Sequence, residues 1–225
     1  MQVLKMNRVI ENINDKYIEI TVSENETLTY EALGNSNVKR IFHLKENATL
    51  EYLELNLEET ESTLEVYLEG TNSNFIGNTL TFGINGKYNF NQNIVHNNKS
   101  TNSKITNFGF SFNDANIIYE TIGTISKGNS LANCRQLSKG IIISDKSQIT
   151  SKPVLLIDEF DVNASHGASI GKMSDEELFY LMSRGLSKED SLKLIISGLI
   201  NPFIEALDET NQDKYKEIIS HLLED

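Results

Sequence analysis

From residue 17 to about 165 the chain alternates apolar and polar residues with no helical stretch between, and this limits its fold more than any other feature. Leu53, Leu55 and Leu57 are separated by Glu54 and Asn56, and Leu64, Val66 and Leu68 by Glu65 and Tyr67. Leu80, Phe82 and Ile84 come after them, then Tyr88 and Phe90, then Phe108, Phe110 and Phe112. A period of two sets one group of side chains on one face of a strand. Turn formers divide the runs: Gly70-Thr71-Asn72-Ser73-Asn74, Asn85-Gly86 and Asn97-Asn98-Lys99-Ser100. Asn-Gly tolerates positive φ at both positions and is the strongest hairpin or tight-turn signal here. Sandwich, barrel and solenoid all remain open. A solenoid needs coils of similar length, whereas strand starts expected near 41, 50, 64, 79, 105, 117, 141 and 154 show no crisp repeat.

After Gly171 the period becomes helical. Ser174-Asp175-Glu176-Glu177 is a capping box, leading into an apolar face of Leu178, Phe179, Leu181 and Met182, with Gly185 placed to end the helix. Ser187-Lys188-Glu189-Asp190 opens a second helix with Leu192, Ile195, Ile196 and Leu199 on its apolar side. Pro202 is expected at the start of a third, carrying Phe203, Leu207, Tyr215, Ile218, Ile219 and Leu222. The division expected is a β body over 1–170 and a small helical domain over 171–225. Glu224 and Asp225 read as a solvated end.

Composition narrows the function. The chain has 225 residues, 20 Lys+Arg against 32 Asp+Glu and a net charge of −12, so a phosphate backbone would be repelled and nucleic acid is not an expected partner. One cysteine, Cys134, excludes a disulfide framework and any cluster held by several thiolates of this chain. The stretch from Met1 to Arg8 has no apolar run fit for a signal peptide, and no segment is apolar for long enough to span a bilayer. A cytoplasmic location without membrane association is expected.

Several motifs carry a chemical suggestion. Gly167-Ala168-Ser169-Ile170-Gly171 matches the G-x-S-x-G nucleophile elbow, but that motif needs a strand running straight into a helix. Here the capped helix starts only at Ser174, and His221 is the sole downstream histidine. A serine hydrolase using Ser169 is therefore the remote alternative. The same stretch lacks one residue of a phosphate loop, and Met173 stands where Ser or Thr must hold magnesium. His43 and His221 fit packing or surface roles. His166, between Ser165 and Gly167 where β pattern gives way to helix, has small neighbours that leave its ring approachable. Cys134 precedes Arg135 but reads most simply as a small buried hydrophobe.

The string Pro153-Val154-Leu155-Leu156-Ile157, Asp161-Val162, Ser165-His166-Gly167-Ala168, Gly171 and Leu178-Phe179-Tyr180-Leu181-Met182-Ser183-Arg184-Gly185-Leu186 resembles the SufB/SufD family of iron–sulfur cluster assembly scaffolds. The likeness spans about residues 100–205, with weaker similarity back to Arg40–Leu50. It implies a mainly β fold: a right-handed parallel β-helix (β-solenoid) core followed by a small C-terminal helical domain. The long N-terminal helical region of many members is expected to be missing. Members pair B-type with D-type through the end of the β-helix, and their helices dock ABC-type ATPase subunits called SufC.

The resemblance places this chain on the D-like side. His166 matches the histidine of the D-type S-H-G-A motif, Gly167 stands where B-type chains have a glutamate, and Ser138 falls where the B-type cysteine aligns. Ala164 occupies a position often cysteine in D-type chains. The role implied is that of a non-catalytic scaffold that docks an ABC-type ATPase, SufC-like, and pairs with a SufB-like paralogue or with itself. A transient iron–sulfur cluster would be shared with the partner, His166 being the junction ligand and thiolates coming from the other side. ATP binding by the ATPase would pull on the helical docks and open that junction. Phe179, Tyr180, Arg184, Gly185 and Leu199 are the expected partner-binding residues, with packing on the β-helix end as the plainer role for Phe179. A structural β-solenoid adaptor that never touches metal is the alternative.

Overall fold

The computed structural model describes residues 5–12, 14–34 and 37–223; Glu224 and Asp225 lie outside it. The strands are β1 (Lys5–Ile10), β2 (Tyr17–Val22), β3 (Glu26–Leu33), β4 (Val38–Leu44), β5 (Thr49–Asn56), β6 (Thr60–Leu68) and β7 (Asn74–Gly83). They continue with β8 (Lys87–His96), β9 (Asn102–Ser111), β10 (Asn116–Ile125), β11 (Asn133–Ile142), β12 (Gln148–Ile157) and β13 (Asn163–Lys172). Three helices complete the chain: α1 (Asp175–Ser183), α2 (Lys188–Ala206) and α3 (Glu209–Leu222). Two compact units result, residues 1–171 and 172–225.

Successive strands alternate between two sheets. Odd strands form one in the order β1-β3-β5-β7-β9-β11-β13, and even strands the other, β12-β10-β8-β6-β4-β2. The strand pairs whose register is resolved are parallel, as in β7 with β9 and β8 with β10. Each coil thus contributes one strand to each sheet and hydrogen-bonds to the coil before it: a parallel β-solenoid. Asn85-Gly86 is a tight turn with Gly86 at φ 76°, yet it passes the chain from one sheet to the other and makes no hairpin. From β3 onward, odd strands begin at residues 26, 49, 74, 102, 133 and 163. Coils therefore lengthen from 23 to about 30 residues, which hides the repeat from inspection of the sequence.

One corner of the coils is held by residues in the left-handed region: Asn25, Asn47, Asn72, Ser100 and Leu131, with φ between 54° and 61°. The Asn47 amide donates to Asn25 Oδ1 at 3.0 Å, and that of Asn72 to Asn47 Oδ1 at 3.3 Å. Asparagine tolerates this backbone and joins neighbouring coils through its side chain, which accounts for much of the Asn-rich turn composition.

The period of two holds in most strands, but β3, β5 and β7 are buried on both faces over part of their length. Leu64, Val66 and Leu68 enter the main interior cluster, and Tyr88 and Phe90 a second one. In β7, however, Thr79 bonds Gln92 across the interior, and a Cβ at Gly83 would meet Ala115 and Ile117. Leu80 and Phe82 have the opposite parity, and Phe82 stacks on Phe110 at 5.0 Å.

The lumen is correspondingly polar in places. Arg40, fully buried, grips Glu11 through Nε and through Nη2 at 2.8 Å. Its Nη1 donates to Ser62 Oγ at 2.9 Å and to Glu54 at 3.2 Å. Tyr30 and Tyr52 donate to Glu11 and Glu54 in turn. Further along, Gln92, Thr79, Asn107 and Thr121 bond one another. Next comes buried His96. Thr101 Oγ1 donates to the Asn98 carbonyl, so it accepts from His96 Nδ1 at 2.8 Å, leaving Nε2 to accept from Ser103 at 2.9 Å. Ser103 also lies beside the Cys134 thiol.

In the helical unit, Ser174 accepts from the Glu177 amide at 3.3 Å and caps α1. Gly185, at φ 97°, closes it: its amide reaches Met182 O and that of Leu186 reaches Leu181 O, the Schellman pattern. Pro202 does not start the third helix; it lies within α2, and α3 is capped by Asp208. A proline there removes one helical hydrogen bond. Ile200 and Ile204, buried on either side, carry the helix through it.

Two measurements test the polar lumen. Arg40→Met should destabilise the fold by about 3–5 kcal/mol by leaving Glu11 and Glu54 buried without their cation. Adding Glu11→Gln and Glu54→Gln should restore most of the urea midpoint. His96 is held neutral by burial down to about pH 4, whereas in the unfolded chain it titrates near 6.5. Between those values unfolding takes up a proton. Its contribution is therefore complete above about pH 6.5 and declines towards pH 4, by up to about 3 kcal/mol; His96→Gln should flatten that part of the stability profile.

Candidate functional site

A coil in mid-solenoid has both strand edges covered, and the last coil does not. β12 ends one sheet and β13 the other, so each presents a row of backbone donors and acceptors to whatever lies beyond. Long open edges of this kind are templates for pairing. His166 sits in the middle of β13.

Its register is set by neighbours on the preceding coil. The Asn163 amide donates to Ala132 O, a Cβ on Gly167 would lie 3.6 Å from Leu137 Cδ1, and one on Gly140 would lie 3.2 Å from Ile170. Gly140 and Ile170 are on the lumen side, since Gly140 also abuts Ile149 of the opposite sheet. His166 has the parity of Ile170 and so continues the column of Gln136. With no coil beyond, its ring is exposed rather than enclosed. Gln136 is buried, donates to Val154 O at 3.2 Å, and leaves its Oε1 without a partner.

The other thiol and hydroxyl candidates are placed differently. Cys134 is buried, and that burial pushes its thiol pKa up against a smaller opposing effect of Ser103; it is a neutral S–H rather than a metal-binding thiolate. Ser138 is also buried on β11, whereas Ala164 is exposed on β13. Ser169 lies within β13, an extended strand and not an elbow, so the arrangement that nucleophile needs is absent from its surroundings. His43 stacks on Tyr67 and faces Glu69 at 2.7 Å and Glu19 at 3.3 Å, a surface network. Among the described residues no three His, Cys, Asp or Glu side chains converge as a metal set.

The helical unit carries a second feature. Glu176, Glu177, Tyr180, Leu181, Leu194, Ile195, Gly198 and Leu199 line a groove of 540 Å³ between α1 and α2. Tyr180 is 57% exposed and Leu199 43%. Phe179 is 74% exposed. The Arg184 guanidinium lies 5.3 Å from the Tyr180 ring centre, holding that ring at one end of α1. Gly185 serves the helix end. Among the described residues, no helix is long and apolar enough to cross a membrane.

The polar lumen, above all His96 and the Gln92–Asn107 pair, escapes sequence reasoning. The only signal is Thr, Asn, Gln and Ser recurring on one parity of each strand, which reads equally well as an outer face.

Comparison with known proteins agrees with this architecture. The profile of the family described as "SUF system FeS cluster assembly, SufBD core domain" matches residues 6–199. The iron–sulfur cluster assembly protein SufD of Bacillus subtilis is 37% identical over 151 residues, covering 66% of this chain and 34% of that protein. An iron–sulfur cluster assembly SufBD family protein of Staphylococcus aureus is 25% identical over 206 residues, 87% of this chain and 44% of its own length. A counterpart in Staphylococcus haemolyticus is 27% identical over 208 residues with the same coverages. The chain thus spans less than half the length of these relatives. With its solenoid and its S-H-G-A strand at the open edge, this chain belongs to the SufB/SufD family of iron–sulfur cluster assembly proteins, on the D-like side.

Proposed function

We propose that the chain is a non-catalytic scaffold subunit of a SUF-type assembly complex, offering His166 to a nascent iron–sulfur cluster at a junction with a cysteine-bearing SufB-like paralogue. The observation that carries this reading is the exposed imidazole on the last strand of an unpaired edge. A second solenoid end laid against β12 and β13 satisfies their open backbone groups. It also brings foreign ligands to the ring. The cluster is cargo, built and passed on. One imidazole cannot hold iron alone, and Cys134, a buried neutral thiol, does not add to it. Thiolates from the partner supply the ligands that cluster iron prefers.

The α1–α2 groove is the dock in this reading. Its apolar floor, with Tyr180 and Leu199 at the surface, suits a helix or loop of an ABC-type ATPase, and ATP-driven closure of that partner then alters the junction by favouring one of two arrangements. Neither role asks this chain to carry out bond-making chemistry of its own.

Anaerobic reconstitution with the purified paralogue and ATPase tests both roles. His166→Ala should lower cluster loading, read by absorbance and Mössbauer spectra, at least about tenfold while leaving the complex intact. Loading at the unaltered rate would remove the ligand role and leave a structural adaptor. Tyr180→Asp with Leu199→Asp should weaken ATPase binding by about tenfold or more, and unchanged binding would discard the dock.

A further inference from the structure

The loop Asp158–Val162 joins β12 to β13 at the open end and carries the most exposed aromatic side chain in the described structure. Phe160 is 100% exposed. An aromatic ring left in water is a cost unless something covers it. The loop that carries it is well tied. Glu159 accepts from the Gly128 amide at 2.8 Å, from Phe160 N at 2.8 Å and from Asp161 N at 3.5 Å. These bonds, that of Gly128 foremost, hold its carboxyl below the usual range, so it is ionised. The Asp161 carbonyl also accepts from Leu131 N at 2.6 Å. Leu131 is itself 61% exposed and, at φ 61°, takes the left-handed place that asparagine fills on earlier coils. A bulky apolar residue in that backbone stores strain. Leu156 and Ile157, just before the loop, are exposed as well. Acidic side chains flank the ring in sequence: Asp158, Glu159 and Asp161.

We propose that Phe160 is the anchor by which this chain recognises its SufB-like paralogue, inserting into an apolar pocket of that partner ringed by lysine or arginine. This deepens, and rests on, the reading that the two chains pair through the last coil. A pre-ordered aromatic at a rim of charge has the make-up of an interface hot spot, and the ties through Glu159 reduce the entropy lost on docking. The carboxylates decide the kind of partner. A second copy would bring another acidic loop, from a chain of net charge −12, to the same seam, and like charges there oppose association. A cationic pocket on a different chain is attracted instead.

Titration of the full-length chain with the purified paralogue, by calorimetry at 50 and 300 mM salt, tests the anchor. Phe160→Ala should weaken binding about 30-fold without moving the urea midpoint of the free chain, and its salt dependence should remain. Asp158→Asn with Asp161→Asn should flatten that salt dependence. Equal binding by the wild type and Phe160→Ala overturns the anchor while the pairing stands. No binding by the wild type overturns the pairing itself. A Phe160→Ala defect seen only in self-association by sedimentation, or only in ATPase binding, assigns the ring to another occupant and likewise overturns the proposal.

Discussion

The structure depends on one constraint: in a parallel solenoid every coil satisfies its backbone by lying against another coil. Each interior strand both donates to and accepts from the coils on either side, and the burial of its side chains is a consequence of that stacking. The cost falls at the ends, where a complete row of amides and carbonyls faces outward. For an ordinary monomer such an edge is a liability to be capped or charged. Here the last coil keeps ten-residue strands, exposed Leu156 and Ile157, and an acidic loop with an uncovered aromatic. In the proposed pairing an edge of this composition is covered by the partner, and His166 meets it there. A histidine of the same parity one coil earlier would be enclosed, as His96 is.

The lumen sets the stiffness behind that edge. Arg40 with Glu11 and Glu54, the Gln92–Asn107 group, and His96 with its hydroxyl and thiol neighbours are directional networks in a low-dielectric space. Each contributes little net stability compared with a well-packed apolar core, but each strongly disfavours displacement of one coil against the next. A slip of one residue would turn all of these polar groups outward and put their neighbours in the lumen. Their effect is thus on register, and register is what delivers His166 to a fixed place on the final strand.

How far the sequence reveals this can be judged from particular residues. The alternation marks the strands, and the helix caps at Ser174, Ser187 and Gly185 are readable because each uses a local signal fulfilled by its immediate neighbours. Pro202 misleads because the compensation that keeps it inside α2 is burial of Ile200 and Ile204, a tertiary effect. The lumen misleads for a related reason. Leu80 and Phe82 look like core and are buried, but Thr79 and Thr81, which look like surface, are buried as well, and Thr79 accepts from Gln92 of the facing sheet. Periodicity does not decide solenoid against sandwich, since both alternate with period two; the family resemblance does. His166 is legible as a residue, but its place at an edge is not, because an edge is defined by which strand is last.

The asparagine corner ties these points together. Asn25, Asn47 and Asn72 bond along the stack, Ser100 continues the backbone pattern, and the series ends on Leu131. If the corner served stability alone, the last position would be the easiest to fill with Asn or Gly, since either relieves the strain of a left-handed backbone. Leucine there forgoes that relief and places an apolar side chain in solvent, on the coil whose amide reaches the Phe160 loop. Strain together with exposure makes sense when the bound state recovers both, by burying Leu131 and fixing the backbone that holds it. The same reasoning applies to Phe160 on its loop of charge. Under the proposed pairing, the free chain is better adapted to its complex than to solution.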